Sequence, residues 1–117
     1  MGHVFVKTKI CSHDKSKCMI VDALVDTGAT LTVLPRHIAQ ELGIEPIRMD
    51  EVQTGAGKMR VERGVAVIII EGKETITEVW ISDIIDRVII GVVTLELLGL
   101  KLDPRTGKLE PSPLLLY

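Results

Sequence analysis

The segment Ala23-Leu24-Val25-Asp26-Thr27-Gly28-Ala29 places an aspartate directly after an apolar run. Because residues 19–25 are predicted to form a strand, Asp26 is expected at a strand end, with its carboxylate beside a hydrophobic wall. Gly28 would let backbone N–H groups approach the carboxylate oxygens. This setting suits a catalytic acid. Aspartate, threonine and glycine are also common turn residues, so the three residues alone are equally compatible with a plain Asx turn.

The composition predicts a single, largely β domain over residues 1–117. Apolar residues make up 46% of the chain and are mostly valine, isoleucine and leucine, whereas 3% are aromatic. The excess of β-branched side chains favours strands. The length is that of one domain, and no long stretch rich in proline, glycine or serine separates two parts.

Charge and hydropathy predict that neither nucleic acid nor a membrane is a partner. The formal charge is −2, the pI is about 5.9, and charged residues are spread along the chain. A basic block of the kind that binds nucleic acid is therefore missing from the sequence. The longest apolar run, Val65–Ile70, is far shorter than a membrane span, and no leader pattern precedes Val4. A cytoplasmic location is the resulting expectation.

Alternating apolar residues and turn signals predict the secondary structure on both sides of Asp26. The predicted strands span residues 4–10, 19–25, 48–53, 74–81 and 88–90, and a long strand follows the 54–57 turn and runs to residue 70. A short helix is predicted after Pro35 and ends at Gly43, and a second covers Thr94–Leu98 and ends at Gly99. The apolar tail, 109–117, is expected to pack in a dimer interface, because exposed leucines favour association.

Cys11 and Cys18 flank a polar segment that is predicted to be the tip of a hairpin, so they could lie opposite each other. Two reduced thiols are the favoured interpretation. A cross-strand disulfide and a metal site that includes His3 or His13 are the alternatives. A zinc site with four ligands would need clusters of cysteine and histidine that the chain does not contain. No catalytic role, cofactor or metal is predicted for these residues.

The order of three motifs resembles that of the retropepsin family of aspartic proteases. The motifs are the Asp26 segment, the turn Thr54-Gly55-Ala56-Gly57, and Val88-Ile89-Ile90-Gly91 before a short helix. The resemblance covers nearly the whole chain. The residues from Leu95 to Leu109 are similar to the ending of the cellular bacterial and archaeal branch. The family's fold is mostly β, a closed, barrel-like half-lobe with a flap hairpin and one or two short helices, and it acts as a homodimer.

The resemblance implies a role for each residue of the central motif. Asp26 would be the catalytic acid or base, and Thr27 would donate a hydrogen bond across the dimer beneath the carboxylates. Gly28 would accept a hydrogen bond from the substrate backbone, and Ala29 would shape the site.

Further site residues are expected in the turn and in two strands. Gly55, Ala56 and Gly57 would form the tip of a flap that closes over a peptide, because glycines give a lid backbone freedom. An ordinary hairpin turn is the alternative. Apolar side chains would form the wall of the substrate pocket, or would only be core residues: Leu24, Val33, Ile81, Ile89 and Ile90.

Thr30 and Val92 depart from the retroviral pattern, in which an aspartate and an arginine at these places pair with each other. Loss of both together avoids an uncompensated, partly buried charge. Val93 likewise stands where the family often has a polar residue. These changes remove charged and polar groups from the region of the site and favour, to a small degree, a non-catalytic interpretation.

Aspartic-type hydrolysis needs two carboxylates that share a proton, and the chain has one Asp-Thr-Gly motif. A two-fold dimer would place Asp26 beside its own copy. The sequence therefore predicts a homodimeric aspartic endopeptidase that acts on peptides or proteins. The alternatives are a non-catalytic dimeric module that binds peptides or serves as a scaffold, and a structural β protein in which Asp26 is a turn residue.

Overall fold

The computed structural model describes residues 3–117, which form nine strands and two short helices. The strands are β1 (Phe5–Cys11), β2 (Cys18–Val25), β3 (Thr32–Pro35), β4 (Arg48–Thr54), β5 (Gly57–Ile70), β6 (Lys73–Ser82), β7 (Ile89–Ile90), β8 (Leu100–Asp103) and β9 (Lys108–Pro111). The helices are α1 (Arg36–Glu41) and α2 (Val92–Leu98). The predicted strands and helices are all present, with ends that differ by a few residues.

The first seven strands form one sheet in the order β1-β2-β7-β3-β6-β5-β4. Because β1 also pairs with β5, six of these strands are hydrogen-bonded in a ring, with β4 outside it. Strand β7 is parallel to β2 and antiparallel to β3, which is parallel to β6. The short strand β7 therefore lies between β2, which ends just before Asp26, and β3, the next strand along the chain.

Strand β5 changes partners along its length. Its first half pairs with β4 from Gly57 to Arg63, and its second half pairs with β6 from Glu62 and with β1 from Val67. Residues 51–60 consequently belong to a hairpin that is paired only with itself.

The core is aliphatic, as the composition predicts. Fully buried side chains from the ring of strands pack against the inner faces of both helices. Its largest members are Ile10, Leu34, Leu42, Ile68, Ile70, Ile81, Ile90 and Leu95. The two helices end as predicted, because Gly43 and Gly99 both have φ of 68°, the left-handed conformation that glycine adopts without a Cβ clash.

Cys11 and Cys18 are joined by a disulfide, so the favoured expectation of two reduced thiols is wrong in this structure. The two residues are direct cross-strand partners at the end of the β1–β2 hairpin. Their Cα atoms are 4.0 Å apart. The bond closes the polar tip, in which Ser12 and Asp14 hydrogen-bond to each other.

Strands β8 and β9 form a separate two-stranded sheet that follows α2. Their hydrogen-bonded register runs from Leu100–Pro111 to Asp103–Lys108. The tail beyond it leaves its apolar side chains, Leu114 to Tyr117, at least 71% exposed in the single chain. Within residues 3–117, no helix is both long and apolar enough to cross a membrane.

Candidate active site

Asp26 follows the last residue of β2 and is exposed. Its backbone N–H donates to the carbonyl of Ile90 at 3.0 Å, which continues the pairing of β2 with β7. The N–H of Gly28 donates to Asp26 Oδ1 at 2.9 Å, and that of Ala29 donates to the Asp26 carbonyl at 3.1 Å. The turn therefore holds one carboxylate oxygen by its own backbone.

The loop that carries Asp26 is fastened to the start of α2 by backbone hydrogen bonds. Val92 N–H donates to the carbonyl of Ala29 at 2.8 Å, and Val93 N–H donates to that of Thr30 at 3.0 Å. Main-chain bonds thus hold the two loops together at the places where the retroviral pattern uses an aspartate and an arginine.

A buried pair of hydroxyls supports the same junction. Thr32 Oγ1 and Thr94 Oγ1 lie 2.7 Å apart, and Thr32 Oγ1 also accepts from the N–H of Gly91 at 3.1 Å. Both threonines are fully buried. Three elements, β3, the Gly91 turn and α2, are therefore held together by two side chains directly behind the Asp26 loop.

A cleft of about 750 Å³ opens beside Asp26. Its lining comes from the Asp26 loop, β3, both strands of the β4–β5 hairpin and the segment around the end of β6: Asp26, Gly28, Ala29, Thr30, Val33, Glu51, Val52, Gln53, Thr54, Ala56, Met59, Val61, Trp80, Ser82, Ile84, Ile85 and Ile89. Most of these side chains are apolar, which is typical of a ligand-binding cleft. Asp26 is the one aspartate among them.

The predicted site residues divide between the cleft and its surroundings. Asp26, Gly28, Ala29, Ala56 and Ile89 line the cleft. The remaining predicted residues lie outside its lining in the single chain: Thr27, Leu24, Gly55, Gly57 and Ile90.

Ile89 and Ile90 separate because side chains alternate along a strand. Ile89 is half-buried and faces the cleft, whereas Ile90 is fully buried in the core. Ile81 is likewise a core residue, and Val33 lines the cleft. For Ile81 and Ile90, their position in the single chain favours the alternative that they are only core residues, and Leu24 is half-buried on β2 outside the lining of the cleft.

Sequence reasoning missed Trp80, Val52, Met59, Ile84 and Ile85, which all line the cleft. A signal was present for the first three. The buried residues of β6 before its last position are Thr77, Val79 and Ile81, so alternation places Trp80 on the other side, and Val52 pairs directly with Met59 across the hairpin. Ile84, which is 75% exposed, lies in an irregular segment that no pattern identifies.

The tip of the β4–β5 hairpin is a two-residue turn made by Gly55 and Ala56. Thr54 pairs with Gly57 across it, and Thr54 Oγ1 donates to the Gly57 carbonyl at 2.7 Å and accepts from Ala56 N–H at 3.1 Å. Gly57 has φ of 111°, which requires glycine. No atom lies within 4 Å of a Cβ built on Gly55, so the tip stands in open space.

Charged groups gather where this hairpin joins the sheet. Asp50 Oδ2 accepts from Trp80 Nε1 at 2.7 Å and from Arg63 Nε. The indole N–H and then the Arg63 guanidinium lower the pKa of the Asp50 carboxyl.

On α1, Arg36 pairs with Asp83 and Glu62, and its hydrogen bonds to these carboxylates, Asp83 first, raise the pKa of Arg36. The same guanidinium lowers the pKa of the Asp83 carboxyl. Among residues 3–117, no group of three or more histidine, cysteine, aspartate or glutamate side chains is placed to hold a metal ion.

The ring of strands, with an aspartate at a strand end below a long hairpin, is the retropepsin-like fold, as predicted. The family model described as gag-polyprotein putative aspartyl protease matches residues 18–100, and the chain belongs to this family. No curated protein matches the chain in sequence.

Solved structures agree in fold. EIAV protease complexed with the inhibitor HBY-793 has a TM-score of 0.67 and 22% identity, covering 87% of this chain and 93% of that one. A retropepsin-like aspartic protease from Rickettsia conorii has a TM-score of 0.62 and 22% identity, covering 87% and 77%. The retroviral protease-like domain of Ddi1 from Leishmania major has a TM-score of 0.62 and 18% identity, covering 95% and 89%.

Proposed function

We propose that this protein is an aspartic endopeptidase whose active site forms between two copies of the chain, each of which contributes Asp26. The observation that carries the proposal is the exposed Asp26 carboxylate at the end of an apolar cleft whose lining contains no second aspartate. Glu51, the other carboxylate of the lining, is on the hairpin, 64% exposed and 3.6 Å from Lys58. A partner copy of Asp26 supplies what one chain lacks.

In the proposed reaction, the two Asp26 carboxyl groups share one proton. The ionised carboxylate takes a proton from a water molecule, whose oxygen attacks the peptide carbonyl carbon, while the protonated carboxyl transfers its proton to the carbonyl oxygen, which gives a gem-diol. The C–N bond then breaks as the carboxyl that took the proton from water gives it to the nitrogen and the other carboxylate takes a proton from one gem-diol hydroxyl, which leaves a carboxylic acid and an amine. No cofactor takes part.

The proposed dimer uses the small sheet of β8 and β9 and the apolar tail. A two-stranded sheet is marginal by itself, and each strand has an outer edge with unpaired backbone groups. Pairing of these edges about a two-fold axis would satisfy those groups. It would also cover tail leucines such as Leu115, which is 81% exposed in the single chain.

The β4–β5 hairpin would act as the flap of this enzyme. Its tip touches nothing around Gly55, and Thr54 and Ala56 face the cleft. Apolar lining residues such as Val33, Val52 and Ile89 favour substrates with apolar side chains on both sides of the cleaved bond.

The test compares the wild type, Asp26→Asn and the matched control Asp22→Asn, which changes an exposed aspartate on the same strand. Each is incubated with a mixed peptide library between acidic and neutral pH, and its mass is measured by light scattering. We expect the wild-type dimer and Asp22→Asn to cleave peptides, and the cleavage rate of Asp26→Asn to be lower by roughly 10³-fold or more. Equal cleavage by Asp26→Asn would refute the assigned role.

A non-catalytic peptide-binding dimer is the second candidate, and the replacements at Thr30 and Val92 favour it. A peptide with a statine-type hydroxyl distinguishes the two, because the hydroxyl imitates one oxygen of the gem-diol. Much weaker binding of this peptide to Asp26→Asn than to the wild type supports the enzyme. Binding that is equally strong in both, without cleavage, supports the scaffold.

A further inference from the structure

The base of the flap hairpin is marked by a change in strand pairing. Strand β5 begins to pair with β6 at Glu62, opposite Ile81, and residues before it pair with β4 alone. Any bending of the hairpin away from the sheet must therefore take place close to residues 61–62 and to their partners on β4, Asp50 and Met49.

Side chains from three neighbouring strands meet at this point on one face of the sheet. Arg63 of β5 is the direct partner of Trp80 of β6 and of Arg48 of β4. Asp50 lies two residues along β4 from Arg48, so alternation places it on the same face. The cluster therefore joins β4, which lies outside the ring, to β5 and β6, which belong to it.

Asp50 is the centre of the cluster. Its Oδ2 accepts from the indole N–H of Trp80 at 2.7 Å and from Arg63, and its Oδ1 lies 3.4 Å from Arg48 Nε. The Asp50 side chain is 15% exposed and that of Arg63 is 18% exposed. Hydrogen bonds to a charged group that is largely screened from water are among the stronger ones in proteins.

The opposite face of the same position carries a second ion-paired group. Arg36 of α1 contacts Glu62, the first β5 residue paired with β6, and Asp83, which follows β6. Both faces of the hairpin base are thus tied to the ring of strands, whereas residues 51–60 have no strand partner outside the hairpin.

We propose that Asp50 and Trp80 are positioning residues that form the hinge anchor of the flap. Their hydrogen bond confines flap opening to residues 51–61 and fixes the indole ring as a wall of the cleft. Because Trp80 itself lines the cleft, the anchor sets the distance between the flap and the side chain of a bound peptide. This inference rests on the proposed peptidase function for its catalytic consequence, but the anchor itself exists without substrate.

Hydrogen exchange tests the anchor independently of activity. Trp80→Phe keeps an aromatic ring and removes the N–H donor, and Glu74→Gln on the same strand, which removes an exposed pair with Lys15, is the matched control. Backbone amides at 48–50 and 61–63 are expected to exchange roughly 10-fold faster in Trp80→Phe than in the wild type or the control. Unchanged exchange at these amides would overturn the anchor.

The effect of Trp80→Phe is also measured in the Asp50→Ala variant, so that the test does not depend on one variant alone. In Asp50→Ala the acceptor is absent, so adding Trp80→Phe should cause no further increase in exchange. An equal increase in both backgrounds would mean that the ring itself, and not its hydrogen bond, is what matters, and would overturn the proposal.

Peptide cleavage supplies the catalytic readout. Trp80→Phe is expected to raise KM roughly 5- to 10-fold, with kcat and the pH profile of cleavage close to those of the wild type, because the dyad is untouched. A fall in kcat with unchanged KM would contradict a positioning role. If the wild type cleaves nothing, the proposed function fails, while the exchange measurement still decides whether the anchor exists.

Discussion

A Cβ atom on Gly91 would lie 2.5 Å from both the carbonyl carbon and the carbonyl oxygen of Leu31. The same atom would be 2.8 Å from the carbonyl oxygen of Thr30. No side chain can occupy this space without a shift of the backbone that follows Asp26. The loop carrying the carboxylate and the turn before α2 are packed backbone against backbone.

Gly91→Ala is therefore expected to lower the free energy of unfolding by about 1–3 kcal/mol, the usual cost of forcing a methyl group into a packed site. Gly55→Ala is the matched control, since no atom lies within 4 Å of its Cβ position. Urea unfolding followed by circular dichroism measures both. Equal stability of Gly91→Ala and the wild type would show that the loop can move away freely.

The Thr32–Thr94 pair leads to a second prediction. In Thr94→Val the shape is kept, but the buried hydroxyl of Thr32 loses its side-chain partner and keeps only the N–H of Gly91, which is expected to cost about 1–2 kcal/mol of unfolding free energy. Thr32→Val should cost more, because the N–H of Gly91 also loses its acceptor.

Adding Thr94→Val to Thr32→Val should then cost less than it does in the wild type, because the hydrogen bond between the two hydroxyls is already absent. A double-mutant cycle of urea unfolding measures this coupling. Strict additivity of the two single effects would contradict a hydrogen bond between the two side chains.

Residues around Asp26 could be predicted from the sequence because their structure is set locally. The apolar run before Asp26, the turn at Gly55 and the glycine that ends each helix act within a few residues of themselves. Strand β3, by contrast, has four residues and exists because it pairs with β6 and β7, which come much later in the chain. No local sequence pattern predicts such a strand.

The residues that line the cleft likewise could not all be predicted from local sequence. Which of Ile89 and Ile90 faces it depends on the register of a two-residue strand between two distant neighbours, and a one-residue difference exchanges core and cleft. The contact of Trp80 with Asp50 spans 30 positions and joins two strands that are not neighbours in the sheet. The polarity of either residue alone does not predict it.

Reduction of the Cys11–Cys18 disulfide should destabilise the protein. The bond closes a loop with a sequence separation of 7, so by the chain-entropy account its loss costs about 2.5 kcal/mol. For a domain of this size that corresponds to a fall of roughly 10 °C in Tm. Calorimetry with and without reductant measures the shift.

Cys11→Ala/Cys18→Ser is the control for the reductant, because its Tm should be unaffected by it. If the wild type melts at the same temperature in both conditions, the two thiols are not joined in solution.

The Asp50 carboxyl gives a prediction on pH, because its pKa is held below the usual range by Trp80 and by Arg63. A carboxyl group with a lowered pKa in the folded state stabilises the protein above the pKa of the unfolded chain, about 3.9. That stabilisation is lost as the pH falls from there through the lower, folded-state pKa. The hinge anchor should therefore stay intact at pH 4.5, where a shared-proton dyad can work.

Fluorescence can follow this titration, since Trp80 is the only tryptophan and its indole N–H contacts the titrating group. The emission of the wild type should stay constant from pH 7 to about 4.5 and change only below the ordinary range of an aspartate. In Asp50→Asn the acid-dependent change should disappear. A wild-type transition centred near pH 5 or above would mean that the Asp50 carboxyl is not stabilised in its ionised form, and that its contact with the indole is broken under the conditions in which the flap would operate.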